Sequence, residues 1–418
     1  MPISTWLWYF AIHRQSAAET VIQPDNFLRY EEGWLMKTLE HAKNSPIQNN
    51  RRLNHSMRKT GEVNEWSVKF DLDFNDVVWL LYMVMWSISS STDISSGTDW
   101  SVYQHTVVLA NELPSFTVEQ CKGDTADTAD NSQRYIVDRA FWVKGDSFTI
   151  SGEDGDVIGI ETMMKALWIF DIAELRSDAD AWSSVDISVN TVEWITTDDS
   201  VYIYDDTPQG ESDAVAAVSP TNKTVQIATL GNSYTIANNA KIELAPQTPS
   251  YGTDPQHASL FDCKFQFADA IGSTGAAAET NVDSRELSYN NNLNARKWTK
   301  RPGAGRVDAQ RSTAQLTFKK VFETKAERDK FLSTAKRALK LTIDSGVIIS
   351  ATDTNEATYK VVFNMANIRY DAFPIATGND AIYEIEATCE VLYDSSAGYA
   401  IQAVVDNANA WTVYTSTS

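Results

Sequence analysis

The sequence predicts a mainly β protein with a few helices, a β-rich α+β fold. Segments such as Ser115–Gln120 and Tyr359–Met365 alternate apolar and polar residues with the two-residue period of a strand. Clusters of Gly, Asn, Asp and Ser separate these segments, and helical periodicity is strong in only two places. Because 43% of the 418 residues are apolar, the chain can fill one or two buried cores. Such alternation is typical of sheets with one face on a core and the other in water.

In the first half, a strand near Gly33–Ala42 leads into a polar, basic loop, Asn44–Thr60. The next strand, Glu65–Asp73, alternates clearly. A helix is then predicted over Asn75–Trp86, and it is apolar nearly all round. Such a helix is either fully buried or packed against another subunit. A weaker helical pattern covers Ile160–Phe170.

The second half repeats this order. A strand near Ser284–Asn290 leads into a second basic loop, Asn291–Gln310, and a strand follows at Ser312–Val321. The helix predicted over Thr324–Lys340 begins with the Thr and Glu spacing of a capping box. A last alternating strand covers Ile382–Tyr393.

The shared order, at an offset of about 250 residues, favours an internal duplication. Coincidence in a β-rich chain is the alternative, since few residues are identical between the halves.

The net charge of −21 excludes a free-standing protein that grips phosphate backbones, because that task needs a basic surface. Positive charge is concentrated in residues 285–340 and negative charge in residues 171–213. Two solvated faces would explain this pattern. Complementary patches would also suit head-to-tail self-association, which propagates into filaments or tubes when it does not close.

No catalytic motif is present, and the five histidines have no ligand spacing, so we expect no catalytic residues, no bound metal and no cofactor. The three cysteines are far apart, which favours free thiols. The apolar N-terminal run lacks the flanks of a signal peptide, so we expect folding in a reducing cytosol.

Four short segments, in their order along the chain, resemble the tail tube (major tail) proteins of long-tailed phages and related viruses. They are Leu113–Glu119, Phe141–Gly145, Phe148–Glu153 and Leu287–Leu293. The resemblance spans about residues 25 to 400. It implies β-sandwich or barrel tube domains, each flanked by a helix, in rings that stack into a tail through which DNA is ejected.

Larger members of that family carry two tube domains per chain and build a pseudo-six-fold ring from three copies. The duplication fits this variant, with true hexamers as the alternative. The implied layout is an N-terminal arm (1–26), a first tube domain (27–170), an acidic linker or insertion (171–254), a second tube domain (255–400) and a C-terminal tail (401–418).

The resemblance also suggests two sets of functional residues. The basic loops would dock on the next ring, with candidate residues Arg51, Arg52, Arg58, Lys59, Arg296, Lys297, Lys300, Arg301 and Arg306. An acidic lumen would repel DNA phosphates. Its candidate acids are Glu65, Asp71, Asp73, Glu384, Glu386 and Glu390, which could equally face the outside solvent.

The expected partners are further copies of the chain and the tape-measure, tail terminator and tail-tip proteins. DNA would be transiting cargo without specific binding, no membrane would be involved, and the protein would reside in the virion tail after assembly in the host cytoplasm. Two alternatives remain open. One is another β-rich virion component (a tail terminator, baseplate hub or decoration protein), and the other is a Trp-rich carbohydrate-binding or hydrolytic protein.

Overall fold

A computed structural model is the basis of the description that follows. It describes residues 6–15, 21–44, 47–48, 51–52, 56–89, 92–95, 102–110, 112–124, 135–153, 156–207, 209–252, 255–277, 279–280, 282–297, 304–321, 325–350, 355–373, 375–376 and 384–415. Most of these residues are in antiparallel strands and few are in helices, which confirms the predicted β-rich fold.

The first unit, residues 6–170, contains helix α1 (Val77–Met85). Its strands are β1 (Trp6–Arg14), β2 (Asn26–Leu28), β3 (Glu32–Gly33), β4 (Lys37–Asn44), β5 (Ile47–Gln48), β6 (Arg51–Arg52), β7 (Ser56–Asp71), β8 (Trp86–Ile88), β9 (Thr92–Asp93), β10 (Tyr103–Leu109), β11 (Phe116–Asp124), β12 (Tyr135–Glu153), β13 (Gly159–Lys165) and β14 (Trp168–Phe170).

An insertion and a second unit follow. The insertion consists of β15 (Ile172–Glu174), β16 (Trp182–Ser188), β17 (Ser200–Tyr204), β18 (Gly210–Ser219), β19 (Thr224–Leu230) and β20 (Lys241–Leu244). The second unit, residues 263–407, consists of β21 (Cys263–Ala268), β22 (Glu279–Thr280), β23 (Ser284–Asn290), β24 (Asn294–Lys297), β25 (Ala304–Asp308), β26 (Thr313–Val321), α2 (Lys325–Leu332), β27 (Arg337–Ile348), β28 (Thr358–Ala372), β29 (Ile375–Ala376), β30 (Glu384–Val391) and β31 (Ile401–Asn407). A short helix, α3 (Trp411–Thr415), and 3-10 turns at Ile236–Asn238, Leu260–Asp262 and Ile271–Ala276 complete the elements.

The two units share one strand topology. In the first unit, the outer sheet has the order β2–β1–β11–β12–β14 and the inner sheet β4–β7–β13–β12. In the second, the outer sheet has the order β22–β21–β27–β28–β31 and the inner sheet β23–β26–β30–β28. In both units one long strand, β12 or β28, begins in the outer sheet and ends in the inner one. This topology supports the internal duplication.

Two β-bulges occur at corresponding places in both units. One interrupts the β11–β12 pairing and its counterpart the β27–β28 pairing. The other interrupts the β12–β13 and β28–β30 pairings, with Asp146 and Asp371 as the extra residues. Because each bulge shifts the register by one residue, the shared bulges fix which residues correspond. Along the inner sheets, Leu35 thereby corresponds to Leu287, and both side chains are buried.

The inner sheets of the two units are joined edge to edge. Strand β12 pairs with β23 from Ser147 opposite Asn290 to Glu153 opposite Ser284. In addition, β10 of the first unit pairs with β31 and extends the outer sheet of the second unit. The chain therefore contains one continuous inner sheet with strands from both units.

The insertion folds as its own six-stranded sheet, β15–β20–β17–β18–β19–β16. Its apolar core includes Trp194 and Ile242 and packs on Tyr9 and Ala11 of the first unit. The buried guanidinium of Arg139, in β12 of the first unit, donates hydrogen bonds to Asp199 of the insertion and so connects the two.

The helix predicted over Asn75–Trp86 is confirmed as α1. All nine of its residues are buried within the chain, so this apolar helix is a core helix rather than one that packs against another subunit. Its aromatic residue Trp79 packs against Tyr414 of α3 with a ring-centroid distance of 5.3 Å.

Two other helix predictions need correction. The helix expected over Thr324–Lys340 is observed only as α2, and the chain is strand β27 from Arg337 onward; Thr324 itself lies outside the described residues. Leu339 fits the helical stripe with Phe331 and Ala335, but it also alternates with buried Leu341 at the strand period, and pairing with β21 and β28 decides the outcome. The weak helix over Ile160–Phe170 was wrong, because that segment forms β13 and β14.

Both predicted basic loops contain hairpins. The segment Asn44–Thr60 includes β5, β6 and the start of β7, and Asn291–Gln310 includes the β24–β25 pair. In β24–β25, Val307 and Ala295 pack against apolar neighbours while Arg296 and Arg306 are exposed, and this apolar alternation is too short to mark a strand pair in the sequence.

The strands also refine the expected domain limits. The expected arm, 1–26, contains β1, which pairs along its length with β11. The expected tail, 401–418, contains β31, which lies between β28 and β10. Both segments are therefore integral to the sheets, and the acidic segment 171–254 holds the folded insertion.

Candidate assembly and lumen surfaces

The inner sheet has a polar, concave face. Grooves of about 830 Å³ and 520 Å³ lie along it, and each is lined by residues from several successive strands. The strands alternate strictly, so apolar residues such as Val68, Ile160 and Leu316 point into the core behind this face. The exposed positions are mainly Ser, Thr, Asn, Gln and charged residues.

Acidic side chains outnumber cationic ones among the described residues of this face. The acids are Glu32, Glu65, Asp71, Glu161, Glu286, Glu384, Glu386 and Glu390, and the cations are Lys69, Lys144, Lys165, Lys319 and Arg369. Lys319 pairs with Glu384 at 2.8 Å, but both side chains are about two-fifths exposed. Exposed pairs of this kind add little stability. The face is hydrophilic and net negative.

Five of the six candidate lumen acids, Asp73 being the exception, lie on this face. Asp73 is only 3% exposed, accepts a hydrogen bond from the Asn75 amide at 2.9 Å and lies 3.6 Å from the Arg29 guanidinium. Burial raises the pKa of Asp73 above its usual value. The expectation for Asp73 was wrong because β7 ends at Asp71, and Asp73 belongs to the turn that begins α1.

The candidate stacking residues lie on two hairpins. Arg296 and Arg306 face each other across β24–β25; their side chains are 64% and 67% exposed, and both pair with Asp308. For Arg51, Arg52, Arg58, Lys59 and Lys297 only the backbone is described, in β6, β7 and β24. Lys300 and Arg301 lie outside the described residues.

A buried polar network holds the joint between the units. Asn291 is fully buried, donates to the carbonyls of Val84 at 2.8 Å and Gly145 at 3.0 Å, and accepts from the Tyr289 hydroxyl at 2.8 Å. Each of these bonds satisfies a group that would be costly to bury alone.

The bulge residue Asp146 completes the network. Its carboxylate accepts from the Leu293 amide at 2.6 Å and pairs with Lys165 at 2.9 Å. No sequence pattern marks Asp146 or Asn291 as a residue of the joint, although the segment Leu287–Leu293 is among those that carry the family resemblance. Only the register shows that Asp146, far away in sequence, meets this segment.

Each end of the inner sheet has an edge without a paired strand among the described residues. At one end lie β3 and β4, which share one continuous register on β7. At the other end lie β28 from Arg369 onward and β29, both paired with β30 on their other side. We name these the β4 edge and the β29 edge. They correspond to the two strands, β23 and β12, that meet in the internal joint.

The described part of the chain contains no group of three or more His, Cys, Asp or Glu side chains able to hold a metal ion. Cys121 and Cys389 are buried free thiols, and Cys263 is a half-buried one. Among the described helices, none is long and apolar enough to cross a membrane. Comparison with known proteins finds no family model that matches the chain and no similar curated protein.

Proposed function

We propose that the protein is a structural subunit that assembles into closed rings, which stack into a tube with the concave inner face lining the lumen. One observation carries this proposal: two units of the same topology are already joined edge to edge by β12 and β23. The edges that this joint uses recur at the two ends of the inner sheet, where no strand among the described residues pairs with them. A second copy can therefore add through the same joint, in a heterologous contact that closes into a ring when the rotation permits.

The sign of the charges favours such an addition. Near the β29 edge, the exposed acids Asp371 and Glu390 line one groove and outnumber the exposed Arg369, which lies opposite Glu390. Strand β4 contains Lys43, and the segment between β4 and β7 contains Arg51 and Arg52. Opposite charges on two edges that must meet steer encounter and help to fix the register.

Strand numbers are consistent with a wide channel. Each chain supplies eight inner positions, counting β3 and β4 as one and β28 and β29 as one. Three chains would thus supply about 24 strands, more than the 16–18 that already leave an aqueous channel in porins. The resemblance to two-domain tail tube proteins favours the same number of copies.

A hydrophilic, net negative lumen suits the transit of DNA. DNA binds where cationic side chains displace the counterions of its phosphates, and the described part of the inner face has more acidic than cationic side chains. DNA would then pass without being held. The resemblance to tail tube proteins implies a virion tail, and we include that location in the proposal.

The exposed β24–β25 hairpin is the proposed contact to the next ring. Deleting only residues 298–303 would keep Asn291 and Leu293, which the internal joint needs. We expect this variant to form rings that stack poorly. Tubes as long as those of the unchanged chain would contradict the stacking role.

Electron microscopy of the purified full chain, with averaged end-on views, tests the proposal. Stacked rings with three-fold symmetry and six similar lobes are expected, and single rings that never stack would instead favour a terminator-like component. Asp371→Lys should impair ring closure, whereas Glu174→Lys makes the same charge change on an exposed site of the insertion and should not. Monomers alone, across salt and protein concentration, would refute the assembly function.

A further inference from the structure

We propose that the side-chain amide of Gln120 is a removable cap on the β4 edge, which keeps the unassembled chain from pairing until the β29 edge of a second copy displaces it. The inference rests on the proposed function for the identity of the partner. The cap itself rests on hydrogen bonds within one chain.

The Gln120 amide contacts the edge as a neighbouring strand would. Its Oε1 accepts from the backbone amide of Leu35 at 2.7 Å, and its Nε2 donates to the carbonyl of Gly33 at 2.8 Å. Both backbone groups point away from β7, because in the shared register the alternate residues of β3 and β4 bond to β7. One side chain thus satisfies an outward donor and an outward acceptor of an edge that pairs with no strand among the described residues.

The second unit shows the same edge without a cap. Its corresponding residues, Arg285 and Leu287, lie opposite Gly152 and Ile150 of β12 in the internal joint. The position that corresponds to Gln120 is Leu341, since each lies opposite an equivalent Phe of the neighbouring strand. In the second unit, where β12 pairs with this edge, the position is the apolar Leu341. In the first unit, where no described strand pairs with the edge, the position is Gln120.

A buried amide at this place is costly unless it is bonded. Gln120 is fully buried, on the same face as the apolar core, where Leu341 is the residue used by the other unit. Replacing an amide by Leu at such a place normally gains burial energy and loses only the hydrogen bonds. Protection of the edge is a physical reason to keep the amide, because exposed edges template unwanted pairing.

The register also identifies the displacing strand. Ile150, opposite Leu287 in the internal joint, corresponds to Ile375 of β29, because each pairs with an equivalent residue of β13 or β30. In a ring, the backbone at Ile375 of one copy would therefore lie opposite Leu35 of the next. The Gln120 side chain and the incoming backbone of β29 would then compete for the Leu35 amide and the Gly33 carbonyl. Assembly therefore requires the Gln120 amide to leave.

Hydrogen exchange of the dilute, unassembled chain tests the cap directly. In Gln120→Leu we expect the amide exchange of residues 33–36 to be roughly tenfold faster than in the unchanged chain, as for the loss of about one hydrogen bond. Gln120→Asn, one methylene shorter and unable to span both groups, should act in the same direction and covers the case in which the Leu variant misfolds. Gln15→Leu is the matched control, since Gln15 is a buried amide directly after β1 that donates to the Thr117 hydroxyl of the same strand, β11, at 3.1 Å.

Assembly measured by light scattering tests the role of the cap. Gln120→Leu should polymerise at a several-fold lower concentration than the unchanged chain and the Gln15→Leu control. Unchanged exchange at residues 33–36 would overturn the cap, whatever the assembly behaviour. Faster exchange with equal or slower polymerisation would overturn its role in assembly. Faster exchange with no polymer from any variant would refute the proposed function and, with it, the second copy as partner.

Discussion

Substituting Arg139 with Met should detach the insertion from the first unit. The guanidinium donates to the Glu119 carboxylate at 2.8 and 2.5 Å, to Asp199 at 2.7 and 2.6 Å and to the Trp194 carbonyl at 2.9 Å. All three charged side chains are at most 1% exposed. Burial by itself lowers the pKa of Arg139, but the neighbouring carboxylates of Glu119 and Asp199 raise it by more. The net effect is a raised pKa, so the guanidinium stays charged.

The expected cost follows from what the substitution leaves behind. Arg139→Met leaves two buried carboxylates facing each other without a cation, and breaking a buried pair from one side costs about 3–5 kcal/mol. That is a large part of the ~5–15 kcal/mol that stabilises a typical domain. We therefore expect the insertion to unfold in a separate, earlier urea transition of the variant.

Urea unfolding followed by circular dichroism measures the loss, and limited proteolysis shows where the chain opens. Cleavage should concentrate in residues 172–244 while the inner sheet stays protected. The triple variant Glu119→Gln, Arg139→Met, Asp199→Asn removes all three charges and should regain most of the stability. A loss below about 1 kcal/mol in Arg139→Met would refute the reasoning, because it would mean that the triad is not truly desolvated.

Three further predictions concern the inner sheet and its edges. Asp146→Ala should destabilise the chain by about 2 kcal/mol in urea, because it leaves the buried Leu293 amide without its acceptor and removes the nearest carboxylate of Lys165. Asp371→Ala should leave stability within about 0.5 kcal/mol and impair only ring formation. Equal losses of stability would contradict the placement of Asp146 in the internal joint and of Asp371 at the β29 edge. Burial, with Asp171, raises the pKa of Asp138 to about 7, so the native state keeps a proton that the unfolded chain releases near pH 4, and stability falls as pH rises between these values. In Asp138→Asn, the urea midpoint should depend less on pH between about 4 and 7. An unchanged slope would contradict the assignment of this pH dependence to Asp138. Replacing the three acids of β30 (Glu384, Glu386 and Glu390) with Lys should make tubes retain DNA at low salt and release it as salt rises, and tubes that ignore DNA would argue against these acids lining the lumen.

Local pattern predicted much of this architecture. The strict alternation in Glu65–Asp71 and Glu384–Val391 is strong because one face of each strand is buried and the other is wet, and both strands are observed. The repeated order of elements predicted the duplication that the shared bulges support. Charge predicted the polar face for the same reason, since an acid on an alternating strand has to point to solvent.

What the sequence did not predict depends on pairing between distant segments. Arg139 and Asp199 are 60 residues apart, and nothing local in either segment marks them as partners. Leu339 satisfied two periods at once, so only the neighbouring strands decide between helix and strand. Gln120 is one of several amides in the sequence, and its contact with Leu35 becomes visible only once the register of three strands is known.

The pairing of β10 with β31 has a consequence for biosynthesis. Gln104 bonds to Asp406, 302 residues later in the chain, at 2.9 Å. A ribosome adding 5–20 residues per second needs roughly 15 to 60 s to cover that interval. Throughout that time the nascent chain offers one side of β10 without its native neighbour, so a holding chaperone or slow late folding is to be expected in the producing cell. The first unit can therefore complete its strand pairings only after the ribosome has made the second.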